Sequence, residues 1–241
     1  MRETKNEILR IERLSKNFGG IRALTDFDIS VEKGSIQCLI GPNGAGKTTV
    51  FKLIMGLYPP ASGQIWFKGT EITRYPTARR VKSGIGIKMQ VPGLYQNMTL
   101  RENLRIAIGG YKKGAEMWDE IDSLIELMGL KELGDPFAKN MTHGQQQWLE
   151  MAMALCTKPE LLLLDEPAAG LGPEEAEFFA QIIERLVDDG MTILFIEHDM
   201  SFVRRVTQYV TVLHLGKKLT EGCMDEVSQN KEVIDVYLGK A

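Results

Sequence analysis

The stretch Gly41-Pro42-Asn43-Gly44-Ala45-Gly46-Lys47-Thr48 limits the possible folds of this chain more than any other. It fits G-x-x-x-x-G-K-[ST] at every fixed position, and Thr49 follows it. A β-rich run at 35–40 leads in. Residues 47–55 lead out with Val50, Phe51 and Ile54 at helical spacing, stopping at Gly56 before Pro59-Pro60. This is strand, glycine loop, helix. Glycines in such a loop let successive backbone N–H groups converge on phosphate oxygens, and the helix adds its positive N-terminal dipole. Lys47 is placed to neutralise β- and γ-phosphates, and the Thr48 hydroxyl suits a Mg²⁺ ligand.

Strand-like and helical segments alternate along the chain, which predicts an α/β fold. Residues 8–14, 27–31 and 64–67 read as antiparallel strands separated by turn residues. The middle changes character. Thr99 and Glu102 form a capping-box pattern, and Met117, Ile121, Leu124, Ile125 and Met128 share one helical face that stops at Gly129. Further on, 161–164 and 192–196 are wholly apolar strands, with Phe178, Ile182 and Leu186 marking a helix between them. The reading is one domain over about 5–241. An α/β core with an antiparallel β subdomain takes about 5–91 and 158–241, and a helical subdomain is inserted at about 92–157.

The second α/β part carries a pair of acids that burial does not explain. The leucines of 161–164 suit a core strand, yet Asp165-Glu166 ends it. Beside bound nucleotide, Asp165 suits Mg²⁺, usually through water, and Glu166 suits the general base that polarises the attacking water.

Composition closes off other classes. The net charge of -3 carries no basic surplus, so no nucleic-acid partner is expected. Cys38, Cys156 and Cys223 lack zinc-site spacing and read as free thiols in a reducing cytosol. The charged amino terminus is no signal peptide, and no apolar stretch approaches the ~20 residues that cross a bilayer. A membrane role has to come through a partner.

With these motifs in place, the chain resembles the nucleotide-binding subunits of ABC transporters over about 8–238. The resemblance implies a P-loop NTPase (RecA-like) core, ATP and Mg²⁺ as cofactors, and ATP hydrolysis. It places Phe18 against adenine, by ring stacking, and makes Gln90 the glutamine that senses Mg²⁺ and the attacking water. His198, in Glu197-His198-Asp199-Met200, is similar to the switch histidine that bonds the γ-phosphate and orients Glu166. The implied catalytic set is Glu166, His198, Lys47 and Gln90, and the metal set is Thr48, Gln90 and Asp165. Nucleotide contacts fall to Phe18, Gly41, Pro42, Asn43, Gly44, Ala45, Gly46, Lys47, Thr48 and Thr49, joined by Thr142 and Gly144.

Those last two lie in Met141-Thr142-His143-Gly144-Gln145, where the family has L-S-G-G-Q. Thr142 keeps the hydroxyl and Gly144 the small residue, whereas His143 stands where the family has glycine. Gly172 stands where the family has the D-loop aspartate. In the family two such domains face head to tail, each nucleotide lying between one phosphate loop and the other signature. A second ATPase subunit, identical or different, is therefore implied, as are transmembrane permease subunits that hold the chain at the cytoplasmic face of the inner membrane. Tyr95, Met98 and Leu100, just after Gln90, read as the wall of a groove for a permease helix.

The finer resemblance is to importer subunits for branched-chain amino acids, amides or urea, which also implies a periplasmic solute-binding protein at one remove. Its marks are Phe18-Gly19-Gly20, the segment 165–171, and the ending Val233-Ile234-Asp235-Val236-Tyr237-Leu238-Gly239. Thr142-His143-Gly144-Gln145 with Trp148-Leu149-Glu150 leans toward the urea or short-chain amide branch. A lipid or lipopolysaccharide exporter ATPase and a soluble ABC ATPase acting on nucleic acid or ribosomes are the alternatives.

Overall fold

Alternating burial, interrupted by register shifts in both strands, builds the first sheet. In β1 (Glu7–Phe18), Leu9, Ile11 and Leu14 are buried, and β2 (Ile21–Glu32) sends in Leu24, Phe27, Ile29 and Val31. A computed structural model of the chain describes residues 6–90, 93–109, 111–207 and 209–237. Lys5, Pro92, Leu238, Gly239 and Ala241, each named in the sequence reading or at its limits, lie outside the described residues.

Further along come β3 (Ile36–Ile40), α1 (Lys47–Ile54), β4 (Ser62–Phe67), β5 (Thr70–Glu71), α2 (Thr77–Ser83) and β6 (Ile85–Lys88). Three longer helices follow: α3 (Leu100–Ile108), α4 (Ala115–Leu127) and α5 (His143–Leu155). The chain then returns to β7 (Leu161–Asp165), α6 (Pro173–Asp188), β8 (Thr192–Ile196), α7 (Met200–Val206) and the hairpin β9 (Tyr209–His214) and β10 (Lys217–Cys223). Two short helices, α8 (Met224–Gln229) and α9 (Lys231–Tyr237), end the described chain.

Two sheets result. One is antiparallel in the order β2-β1-β4-β5, and the other runs β10-β9-β3-β8-β7-β6, parallel except for β10. The second sheet is covered on both faces, which is why β7 is a run of leucines. Leu161 and Leu163 join the core formed by α1 and the antiparallel sheet, while Leu162 and Leu164 join the core shared with α3 to α7. The helices of the middle stretch thus share one continuous core with the sheet. Among the described residues, no helix is long and apolar enough to cross a membrane.

The helix behind the glycine loop is fastened at its far end. Arg80, 1% exposed, donates to the carbonyls of Leu53 and Ile54 at 2.7 and 2.6 Å, and also to those of Thr73 and Tyr75. The bond to Ile54 gives a partner to a carbonyl that the last turn of a helix leaves without one, while the Leu53 carbonyl also accepts from Gly56 N. Burial lowers the guanidinium pKa to about 10, so it stays charged at neutral pH.

Candidate nucleotide-hydrolysis site

The loop between β3 and α1 demands glycine where the backbone crowds. Gly41 has φ 150°, and a Cβ there would sit 2.1 Å from the carbonyl oxygen of Leu213. Gly46 is the N-cap of α1 and offers no side-chain cap. The first-turn N–H groups of α1 are therefore free of a capping side chain and suited to phosphate oxygens. Asn43 and Gly44 are exposed at the tip, Pro42, Thr48 and Thr49 are half-buried, and Ala45 is buried. Lys47 is 6% exposed, and its Nζ donates to the carbonyls of Gly41 (2.7 Å) and Pro42 (3.0 Å). Burial lowers its pKa, against the opposing pull of Glu166 and Asp165. The ammonium spans its own loop, ready to exchange two carbonyls for phosphate oxygens.

Opposite the loop, Asp165 ends β7 fully buried. Its Oδ1 accepts from the Thr48 hydroxyl at 3.5 Å, and its Oδ2 is buried with no hydrogen-bond partner. Burial raises its pKa, partly offset by the Thr48 bond. An orphaned carboxylate oxygen beside a hydroxyl is the donor set a small divalent cation takes.

Glu166 follows in a left-handed conformation (φ 50°), unusual for a residue with a Cβ and typical of functional positions. Its N–H donates to the carbonyl of Ile196 at 3.0 Å, which ties the end of β7 to the end of β8. Gln90 Nε2 donates to Glu166 Oε2 at 2.7 Å, and His198 Nε2 lies 2.8 Å from Glu166 Oε1. Both carboxylate oxygens are thus held. Of the sequence-derived residues, Thr48 meets Asp165, and Glu166 meets Gln90 and His198, across the ends of β6, β7 and β8, while the Lys47 ammonium feels the charges of both acids.

Sequence reasoning missed one residue that organises this cluster. Glu197 is 4% exposed; its Oε1 accepts from Ala168 N at 2.8 Å and its Oε2 from His198 N at 2.9 Å. It fastens the loop after β7 to the loop carrying His198. The only available signal was an acid wedged between the apolar run of β8 and a histidine.

Residues 24–169 match the sequence profile of the ABC transporter family. The chain belongs to that family. It is 35% identical over 97% of its length to the high-affinity branched-chain amino acid transport ATP-binding protein BraF of Pseudomonas aeruginosa, covering 98% of that protein. It is also 35% identical to the probable branched-chain amino acid transport ATP-binding protein LivG of Archaeoglobus fulgidus, with 97% and 96% of the two chains aligned. Among solved structures, the ADP conformation of an ATP-binding cassette of an ABC transporter superposes with a TM-score of 0.87 at 30% identity, covering 97% of this chain and 99% of the other.

Among the described residues, the segment 141–145 bonds within itself and to the loop before α6 rather than to Lys47, Asp165 or Glu166. Thr142 caps α5, accepting from Gln145 N at 3.3 Å, while the Gln145 side chain accepts from Thr142 N at 2.9 Å. Its neighbours belong to α6 and the loop before it. A Cβ on Gly144 would meet Glu175 Oε1 at 2.1 Å, and His143 Nε2 lies 3.4 Å from the carbonyl of Ala169. A side chain at 144 would therefore have to displace the Glu175 carboxylate, the far end of a flexible side chain. Gly172 caps α6, its N–H donating to Glu175 Oε2 at 2.9 Å. Phe18 is 40% exposed, edge-on to Tyr58 at 5.2 Å with Lys16 Nζ 5.1 Å from its ring centroid. Tyr95 and Met98 are likewise open, at 49% and 37%. Leu100 is a correction: it is fully buried in the core of α3 and cannot line a groove, because it occupies the first inward position of that helix.

Proposed function

We propose that this chain is the ATP-hydrolysing subunit of an importer for a small polar solute, a branched-chain amino acid, short-chain amide or urea. It acts as one domain with a helical subdomain at about 92–157. The observation that carries the hydrolytic reading is Glu166, held at both carboxylate oxygens by Gln90 and His198 beside the orphaned Asp165. The importer reading is favoured over lipid export or a soluble role by relatives named for branched-chain amino acid transport. The His143 and Trp148 neighbourhood is what leans the solute toward urea or amide.

The loop N–H groups and Lys47 bind the phosphates once Lys47 Nζ leaves the Gly41 and Pro42 carbonyls. Thr48 and Asp165, with Gln90 nearby, would hold Mg²⁺, which supplies charge neutralisation on the phosphates. Glu166 accepts the proton of the attacking water, and Gln90 and His198 fix the direction of its carboxylate. Phe18 offers an exposed ring for adenine. Thr142 and Gly144, which stand apart from Lys47 in one chain, would close the nucleotide site of a second ATPase subunit. Exposed Tyr95 and Met98 would meet a permease subunit, holding the chain at the cytoplasmic face of the inner membrane and linking it indirectly to a periplasmic solute-binding protein.

The test is Glu166→Gln in the purified chain. ATP affinity stays within about threefold and an ATP-bound dimer accumulates on size exclusion, while phosphate release falls by about 10²–10⁴. Turnover at the native rate would overturn the general-base assignment.

A further inference from the structure

A buried acid outside the reacting cluster holds both described flanks of the segment that carries Gln90. Glu150 lies on α5, about two turns from the Thr142 cap. Its Oε1 accepts from Gly93 N at 2.6 Å, and its Oε2 lies 3.8 Å from Lys88 Nζ. The Lys88 and Glu150 side chains are only 1% and 7% exposed. Lys88 is the last residue of β6, so one carboxylate secures the chain before and after Gln90. Gln90 in turn donates to Glu166.

Stability alone does not account for such a pair. Taking both charges out of water offsets most of their attraction, and apolar replacements of buried ion pairs are often neutral or stabilising. Here Glu150 Oε2 has no hydrogen bond at all, so the geometry is not tuned for strength. Burial drives the Glu150 pKa up and that of Lys88 down, both against the charged pair. What the arrangement does supply is placement.

We propose that Glu150 is a positioning residue: it makes the signature helix α5 and the Gln90 segment move as one body, so that a displacement of Thr142 and Gly144 is relayed through Gln90 to Glu166. This rests on the assignment of Gln90 and Glu166 above. A nucleotide gripped at the start of α5 by one subunit would thereby set the direction of the base in the same subunit.

The experiment is a cycle of steady-state ATPase rates. The charge-neutral pair variant Glu150→Leu with Lys88→Met, which removes both the Gly93 acceptor and the ion pair, keeps the native melting temperature within a few degrees and ATP affinity within about twofold, and loses about tenfold in kcat. Gln90→Ala alone also loses about tenfold, but added to the pair variant it lowers kcat no further, because residues acting in one chain are not additive. If the pair variant does not fold, Glu150→Asp, which keeps the charge and shortens the reach, carries the same cycle. Native kcat in the pair variant, or a full extra tenfold loss from Gln90→Ala, overturns the relay. Native kcat in Gln90→Ala by itself overturns the site assignment instead, and the relay with it.

Discussion

Removal of the Glu197 carboxylate tests whether the two catalytic loops are held by one buried acid. In Glu197→Ala, Ala168 N–H and His198 N–H lose acceptors at 2.8 and 2.9 Å. Hydrogen bonds to a charged group contribute about 1.5–3 kcal/mol each, and both of these are only partly buried, so the low end applies: about 3 kcal/mol together. Against this, burial raises the Glu197 pKa, so deleting the acid also relieves a desolvation penalty. The net loss is then about 2 kcal/mol, or about 4–8 °C in Tm for a chain of this size. Glu197→Gln keeps one acceptor oxygen but turns the other into an amide NH2 that faces a backbone N–H donor, so it recovers only part of the loss and melts between the native protein and the alanine variant. The activity split is the sharper reading. Without its backbone tether the 2.8 Å contact between His198 and Glu166 loosens, and kcat falls about tenfold in the alanine variant and less in the glutamine variant. The assays are a thermal melt and phosphate release at saturating ATP. An alanine variant that melts as the native protein does and turns over at the native rate would refute the clamp.

Two other perturbations follow from the same geometry. Burial raises the Asp165 carboxyl in the fold, so the folded chain binds more protons than the unfolded one, and its stability falls as pH rises from about 4 through the folded value. Asp165→Asn lacks that slope, so its Tm gains on the native protein with rising pH in nucleotide-free melts; parallel curves would contradict the burial argument. Gly41→Ala drives a Cβ into the backbone carbonyl of Leu213 and loses about 3 kcal/mol or more, whereas Gly144→Ala meets only the end of the Glu175 side chain, which can swing away for about 1 kcal/mol of lost α6 capping. Urea melts of the two variants should rank in that order, and equal losses would mean that Gly144 is fixed by more than Glu175.

How much of this was legible depended on how local each interaction is. The glycine loop reads directly because its requirements lie within contiguous residues. The capping box at Thr99 and Glu102 reads for the same reason, and the structure forms both of its bonds. The leucines of β7 read as a strand because both faces are covered. By contrast β10 is a polar, half-buried edge strand held by its pairing with β9, and periodicity gives it no mark. β6 is four residues long and ends in a buried lysine, which looks like a surface residue until its distant partner Glu150 is placed beside it. Glu197 is hidden in the same way, since what it bonds is backbone in another loop.

The reacting cluster falls between these cases. Gln90, Glu166 and His198 are separated by 76 and 32 positions, and each could be named from its own surroundings or from the family resemblance. What brings them within 3 Å is strand order. β6, β7 and β8 are neighbours and parallel, with Lys88 opposite Leu164 and Asp165 opposite Ile196, so the residues just beyond their carboxyl ends arrive side by side. Strand order is set by which apolar faces pack against α1 and which against the helical block, a sum over two whole cores rather than any one segment. The identities of the reacting groups are therefore local properties of the chain, and their meeting is a global one. A variant that leaves every site residue intact but disturbs the register of β7 against β6, such as Gly86→Ala, whose added Cβ would stand 2.8 Å from Pro159 Cγ, would separate Gln90 from Glu166 without touching either.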